Sequence, residues 1–355
     1  MIDAAVIGCG RMGAFTSEAV RQHCPAFWMP LAHAAAVRSH PDLRLVALCD
    51  PDAGGLSRAA AEYDVAQTFA DHRDMLAAIA PSLVTIATRT IGRAGMIADC
   101  LAAGIRALHV EKPLCSSVQE LEMLEGLLAE DSRYLTLGAV RRFLPPYKEA
   151  VRLANAPEAG NLLEARISVG SGALYWAHPH SVDLLLFAAA GRKVEAVSAR
   201  MAGLSARGAV VSNDPIIASA TIWFEGGFVG HVGRALGSDF QIVSERAQFT
   251  VVNDGVALTR ARYEDGESYP AHRELPIPAN DGPGGSAAPI HQLVACLRED
   301  PDATSANRAL RSDILLGQRI LFAMVQSHLE GGRPVAPEAI DPDLFIEART
   351  GGRYA

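Results

Sequence analysis

Apolar positions in the first 140 residues fall in short unbroken runs. AAVIG at 4–8, RLVALCD at 44–50, LVTIAT at 83–88, ALHVE at 107–111 and YLTLGAV at 134–140 each read as a buried strand. Between them lie helical stretches, AGMIADCLAAG at 94–104 and SVQELEMLEGLLAE at 117–130. The second opens with Ser117 and Glu120 in capping-box spacing, and Leu121, Leu124 and Leu128 then mark one face. Strands that are apolar throughout, separated by helices, predict a parallel sheet covered on both sides.

The pattern changes near residue 140. LLEARISVG, VEAVSARMAG, IIASATIWFE, FVGHVGRA, DFQIVSE, AQFTVV and GVALTRARY follow one another as strand-like segments, several separated by EGG or NDG turns. One helix, SVDLLLFAAAG, interrupts them and is expected to close on Gly191 as its C-cap. A long helix is expected from about Asn307 to Glu330, and GPGGS at 282–286 reads as a flexible surface loop. The predicted plan is an α/β Rossmann-type doubly wound domain over residues 1–138. An α+β domain over 139–355, with a large, mostly antiparallel open sheet, follows it. The active site is expected between the two, with the C-terminal segment packing back on the first domain.

Composition narrows the function. With 49% hydrophobic and 20% charged residues, the chain forms cores. Its net charge of −8 argues against a nucleic-acid partner. Cysteines at 9, 24, 49, 100, 115 and 296 form no CxxC or Cys/His ladder, so neither zinc nor a disulfide framework is expected. MIDAAVIGCG has no basic leader, and the longest apolar run, Leu184 to Gly191, is too short to span a bilayer. A cytoplasmic location with no membrane partner is expected.

VIGCGRMGAF places Gly8, Gly10 and Gly13 in GxGxxG spacing after a strand and before an expected helix. The first glycine permits a tight turn, the second lets the backbone approach a pyrophosphate, and the third lets the helix pack on the sheet. The helix N-terminus then offers N–H groups to the phosphates. Asp50 ends the second strand, where a carboxylate binds a ribose diol. It could instead be an N-cap, with Pro51 at the first helical position, and the two roles can coexist. The gap from Gly13 exceeds the usual spacing of about 20 residues, and CPAFWMPLA reads as an insertion that accounts for it. No arginine directly follows Asp50, which favours NAD over NADP, with Arg58 as a complication.

GCGRMG, Asp50, LHVEKPL, VRRFLPPY at 140–147, HPHSVDLLLF at 178–187 and QSHLEGGRPV at 326–335 occur in that order. Together the chain resembles the family of glucose–fructose oxidoreductase and inositol dehydrogenase (Gfo/Idh/MocA). The resemblance implies an NAD(P)-dependent oxidoreductase, with NAD as cofactor and NADP as the variant, acting on a sugar, sugar derivative or cyclitol. Gly8, Cys9, Gly10, Arg11, Met12, Gly13, Asp50, Thr88, Arg89, Glu111 and Lys112 would line the cofactor. Lys112 would stabilise the developing oxyanion and relay its proton. His180 matches the family's H-x-x-D histidine and would be the general base, completed by Asp183 three residues on. The expected helix start near His180 would favour neutral imidazole.

Two departures stand out. Where the family often carries an aspartate, four residues before the histidine, this chain has Trp176; His178 would substitute, or His180 would act alone. Where the family commonly has a proline and a histidine, this chain has Arg89 and Arg93, and Arg141 and Arg142 follow. These arginines suit an anionic substrate, cofactor phosphates or structural ion pairs. Tyr147, Tyr175 and Trp176 are either sugar-stacking or core aromatics. The expected substrate surface is thus Arg141, Arg142, Tyr147, Tyr175, Trp176, His178, His180 and Asp183, with no metal. A non-catalytic dinucleotide-binding relative and a redox-neutral sugar-processing enzyme with retained NAD are the alternatives. The open sheet predicts a homodimer or homotetramer.

Overall fold

The computed structural model describes residues 1–347, apart from 171, 265–267 and 281. Contacts group the chain into two compact units, Met1–Val140 with Gly282–Leu315, and Arg141–Asp281 with Leu316–Ala348. In the first unit β1 (Ile2–Ile7), β2 (Leu43–Cys49), β3 (Gln67–Phe69), β4 (Leu83–Ile86), β5 (Ala107–Val110) and β6 (Tyr134–Leu137) form one sheet, in the order β3-β2-β1-β4-β5-β6. All pairs are parallel. Every residue of β4, β5 and β6 is buried, as their unbroken apolar runs require of a sheet covered on both faces. β3 escaped the sequence pattern because QTF is three residues long with two of them exposed.

Helices α1 (Glu18–His23), α2 (His33–Ser39), α3 (Ala53–Tyr63), α4 (His72–Ala78), α5 (Arg93–Ala102) and α6 (Val118–Leu127) accompany these strands. At the start of α6 the Ser117 hydroxyl accepts from the Glu120 amide at 3.0 Å. The Glu120 carboxylate accepts from the Ser116 amide at 2.7 Å, a capping box displaced by one residue.

The helix expected after the glycine loop is present but broken. Residues 11–14 make a single turn, closed by Ala14 N–H to the Gly10 carbonyl at 2.8 Å. The chain then leaves and returns in α2. There His33 N–H bonds the Met12 carbonyl and Ala34 N–H the Gly13 carbonyl, both at 2.8 Å. Without residues 15–31 these bonds would have the i→i−4 spacing of an α-helix. Asp50 would then follow Gly13 at about the ordinary interval of 20 residues. CPAFWMPLA is therefore the end of an insertion that begins at Phe15.

GPGGS is not a flexible surface loop. Its Gly284, Gly285 and Ser286 are buried against the insertion. Gly285 N–H bonds the Phe27 carbonyl at 3.1 Å, Ser286 N–H the Pro30 carbonyl at 2.8 Å, and the Ser286 hydroxyl the Leu31 carbonyl at 2.7 Å. A Cβ at Gly284 or Gly285 would overlap the carbonyls of Phe27 or Trp28. These glycines are required by close backbone packing, a role that composition alone does not distinguish from flexibility.

In the second unit, α7 (Pro145–Ala154) and α8 (Leu174–Ala189) accompany β7 (Leu162–Val169), β8 (Val194–Ala202), β9 (Ala206–Arg207), β10 (Val210–Val211), β11 (Ile216–Phe224), β12 (Val229–Arg234), β13 (Ser238–Ser244), β14 (Ala247–Val252), β15 (Ala257–Arg262), β16 (Ala271–Leu275) and β17 (Phe345–Ile346). Eight strands form an open sheet in the order β16-β15-β14-β13-β7-β12-β11-β8. Only the β7–β12 pair in it is parallel. β11, β12 and β13 alternate buried and half-exposed residues, so the sheet has one core face and one wetter face. α8 lays Leu185 on the core face, where Gly230 leaves room for it. α8 ends with Ala190 in the left-handed conformation and Gly191 after it, so the cap falls one residue earlier than expected.

α9 (Ala287–Leu297) packs Ile290, Leu293 and Val294 in a cluster with Ala36, Val37, Leu43 and Leu83. α10 (Pro301–Leu329) begins before the expected Asn307, with the Asp300 carboxylate accepting from the Ala303 amide at 2.9 Å. Its polar first turns concealed that start.

Candidate functional site

Because the first sheet is parallel, the loops that follow its strands leave from one edge. Backbone bonds tie those loops in series. Asp50 N–H meets the Phe69 carbonyl at 3.0 Å and Gly8 N–H the Cys49 carbonyl at 2.8 Å. Ala87 N–H meets the Ile7 carbonyl, Glu111 N–H the Ile86 carbonyl and Gly138 N–H the Val110 carbonyl, each at 2.8 Å. The glycine loop, Asp50, Thr88 and the Glu111–Lys112 turn thus form one crest.

Each glycine of the loop has a distinct reason. Gly8 has φ of +93°, and a Cβ there would lie 2.8 Å from the Ala87 carbonyl carbon. A Cβ at Gly13 would overlap the Gly8 carbonyl, whereas one at Gly10 would meet nothing within 4 Å. Gly10 therefore presents bare backbone to open space, as close approach of a pyrophosphate requires. Arg11 and Met12 are half-buried on the single turn that follows. Cys9 is buried, and burial, then the charge of Asp50, pushes its thiol up to about 12.

Asp50 faces the loop. One carboxylate oxygen accepts from the Cys9 amide at 2.6 Å and the other from the Asp52 amide at 2.8 Å. Each oxygen keeps a second lone pair for a diol. The capping alternative for Asp50 is corrected: Asp52 caps α3, accepting from the amides of Gly54 and Gly55. Arg58 reaches back toward this helix start, 3.9 Å from a Cβ built at Gly54 or Gly55.

The Lys112 turn is held from behind. Glu111 is buried and directs its carboxylate inward. One of its oxygens lies 3.3 Å from His33 Nε2, and the other accepts from the Lys112 amide at 3.3 Å. Gly138 makes space for this carboxylate, since a Cβ there would sit 2.6 Å from it. Burial opposes ionisation of Glu111. The His33 hydrogen bond and charge, then those of Lys112 and Arg93, outweigh it and hold the carboxyl down at about 2. The His33 ring lies 4.6 Å from that of His109, whose Nδ1 meets the Thr136 hydroxyl at 2.9 Å. Burial drives the His109 imidazole well below its ordinary range, so it is neutral.

Lys112 is half-buried and precedes a cis Pro113. Thr88 points its hydroxyl toward Met96 Sδ at 3.7 Å, and Arg89 is exposed beside it. Arg93 is fully buried. Its guanidinium donates to the Glu111 carbonyl at 2.7 Å, and to the carbonyls of Pro113 and Thr88. It is engaged by backbone.

The second unit carries the other named residues. α8 begins at Leu174, so His180 lies in its second turn and not at its start. The helix-dipole argument for a neutral imidazole loses its basis, because that effect fades beyond the first turn. His180 is half-buried and Trp176, one turn earlier, is 40% exposed. His178 is buried, with Nδ1 3.1 Å from the Ser181 hydroxyl and Nε2 3.2 Å from the Gly172 carbonyl. Burial pulls its imidazole down to about 4. The start of α8 is capped from a distance by Asp214, which accepts from the amides of Tyr175 and Trp176 at 2.7 and 3.2 Å.

Arg142 and Asp183 form a buried ion pair at 2.9 Å, and Arg142 also lies over the Phe187 ring. Arg141 pairs with Asp254 at 2.9 Å, and the Tyr147 hydroxyl joins the same carboxylate at 3.3 Å. Tyr147 and Tyr175 are wholly buried, and Gln318 donates to the Tyr175 hydroxyl at 3.4 Å. Sequence reasoning did not identify His33, Gly138 or Asp214. A histidine inside the alanine-rich run LAHAAAV was the available signal for the first; the other two depend on partners far along the chain.

Residues 2–139 match the GFO/IDH/MocA oxidoreductase family, described by its NAD-binding Rossmann fold. An inositol 2-dehydrogenase of Corynebacterium glutamicum is 30% identical over 162 residues, 45% of this chain and 43% of that protein. The scyllo-inositol 2-dehydrogenase (NAD+) of Bacillus subtilis is 28% identical over 159 residues, 45% of this chain and 42% of that protein. Each match therefore spans less than half of the relative. An Agrobacterium radiobacter oxidoreductase, solved with NAD+, L-tartaric acid and magnesium, shares the fold with a TM-score of 0.71 and 16% identity. It covers 95% of this chain and 99% of its own.

Proposed function

From the match of residues 2–139 to the Gfo/Idh/MocA oxidoreductase family, we propose that the chain belongs to that family and moves a hydride between NAD and a carbinol carbon of a sugar or cyclitol. One observation carries this reading: the glycine loop, Asp50 and Lys112 leave the same edge of one parallel sheet. The donor set suits a dinucleotide, with bare backbone at Gly10 for the pyrophosphate and a carboxylate at Asp50 for a ribose diol. Arg58, on the neighbouring helix, leaves room for some NADPH binding.

Bound nicotinamide supplies the hydride acceptor. In this reading Lys112 donates a hydrogen bond to the substrate hydroxyl and stabilises the negative charge that grows on its oxygen. The hydroxyl proton then passes to a base, assigned to His180, with Lys112 as relay. His178 is unsuited to that task, because it is buried and both ring nitrogens face protein partners. Neutral polyols fit better than anionic sugars, because Arg93, Arg141 and Arg142 are engaged within the chain. Arg89 is the exposed exception.

The test begins with cofactor-free protein titrated with NADH and with NADPH, following tryptophan quenching. Saturable binding with NADH tighter supports the reading. Screening myo-inositol, scyllo-inositol and neutral and acidic sugars for NADH formation then identifies the substrate class. Failure to bind either nucleotide would overturn the proposal and favour a binding module without redox activity.

A further inference from the structure

The chain contains three lysines, Lys112, Lys148 and Lys193, against 29 arginines. The surface cations of this protein are thus almost all guanidinium groups, and Lys112 is the single half-buried amine among the three; Lys148 and Lys193 are exposed. The turn that carries it is held by an unusual device. Arg93, at the start of α5, is the bulkiest of the fully buried side chains among the described residues, and its three hydrogen bonds all go to backbone carbonyls. Its guanidinium donates to the carbonyls on both sides of Lys112, those of Glu111 and Pro113, and to the Thr88 carbonyl at the end of the neighbouring strand.

Carbonyls that project from strand tips leave a sheet without a partner strand, and burying them unpaired is costly. A water or a smaller donor would satisfy one of them. A planar guanidinium satisfies several at fixed angles, which an ammonium cannot do. Opposite this clamp, the Glu111 carboxylate accepts from the Lys112 amide and is itself held by His33, the first residue of α2 after the insertion. The peptide groups bracketing Lys112 are therefore fixed from two sides.

We propose that Arg93 is a positioning residue for Lys112: by bridging the Glu111, Pro113 and Thr88 carbonyls it fixes the origin and direction of the lysine side chain at the crest. The proposal rests on the catalytic reading of Lys112, and it adds Arg93 to that reading as a group that never touches substrate. By sequence Arg93 belongs with the arginines available to an anion; burial and backbone bonding remove it from that set. The charged and titratable groups facing this turn are Arg93, Glu111, His33, His109 and Cys115, so a change of reactivity at Lys112 is to be compared with the behaviour of each.

The test needs no substrate. Full-length protein is labelled with trace acetic anhydride across pH 6–11, and acetylation of each lysine is read by peptide mass spectrometry. Lys148 and Lys193 act as internal references. Arg93→Met is compared with Arg93→Lys and with His33→Gln. If positioning is correct, Arg93→Met changes the Lys112 rate relative to Lys148 by about threefold or more, and moves its pH midpoint, because reactivity follows small changes in geometry and local charge. Arg93→Lys recovers part of that change. The reference lysines stay as in the wild type. If Arg93→Met does not fold, Arg93→Lys and His33→Gln carry the comparison, since each keeps a hydrogen-bonding group in place. Unchanged Lys112 labelling in the folded variants overturns the proposal. A parallel NADH titration separates the two ideas: loss of nucleotide binding in the wild type refutes the oxidoreductase reading, whereas normal binding with unaltered labelling refutes only the role of Arg93.

Discussion

Asp50 ties two segments together through one side chain. Its oxygens hold the Cys9 and Asp52 amides, so Asp50→Ala would disturb the loop as well as any ribose contact. Asp50→Asn keeps an acceptor and removes the charge. It is expected to weaken NADH by about tenfold, the scale of one charge-assisted hydrogen bond, and to weaken NADPH less; equal losses in paired titrations would end the ribose assignment. Lys112→Ala and His180→Ala are each expected to lower kcat by roughly a hundredfold. His178→Asn should show first in stability. His178 is neutral in the folded protein, with its imidazole at about 4 against an ordinary 6.5. The unfolded chain therefore binds more protons between those values, and stability is full above pH 6.5 and falls as pH drops toward 4. The variant should flatten that slope in denaturant titrations. Residue types and spacings made the glycine turn and the strand-end positions of Asp50 and Lys112 legible. They could not reveal that Arg142 is committed to Asp183, or Tyr147 to Asp254, because those pairings join segments distant in sequence.

At the scale of elements, the strands of both sheets were legible because burial imposes its period on them. β3 and β16 were not, since short exposed strands carry no apolar signal. The insertion was partly legible, as an overlong gap before Asp50. Its partner, GPGGS, was misread, because glycine serves close packing and mobility alike. Gly285→Ala tests that packing. It adds a methyl against the Trp28 carbonyl and strains a φ of +47°, so a loss of about 2–4 kcal/mol is expected by chemical denaturation. In a variant lacking residues 15–31 the same substitution should cost much less, since the carbonyl it strikes is gone. Equal costs in the two backgrounds would mean that the clasp contributes nothing.

For the whole molecule, the half-exposed face of the eight-stranded sheet is the expected self-association surface, with Trp223, Val229 and Val243 on it. Sedimentation should give a dimer or tetramer, and Trp223→Glu should lower the mass; a monomeric wild type would remove this expectation. The interrupted helix has a different consequence. Its two halves are joined by hydrogen bonds and not by adjacent residues, so its continuity does not depend on an intact polypeptide. Arg21 is exposed within the insertion. Trypsin cleaving there would release no fragment: the peptide 1–21 supplies the central strand β1 and would stay lodged between β2 and β4. The coenzyme loop and Lys112 would then reside on two separate chains, and a protein split at that bond should reassemble from its two pieces.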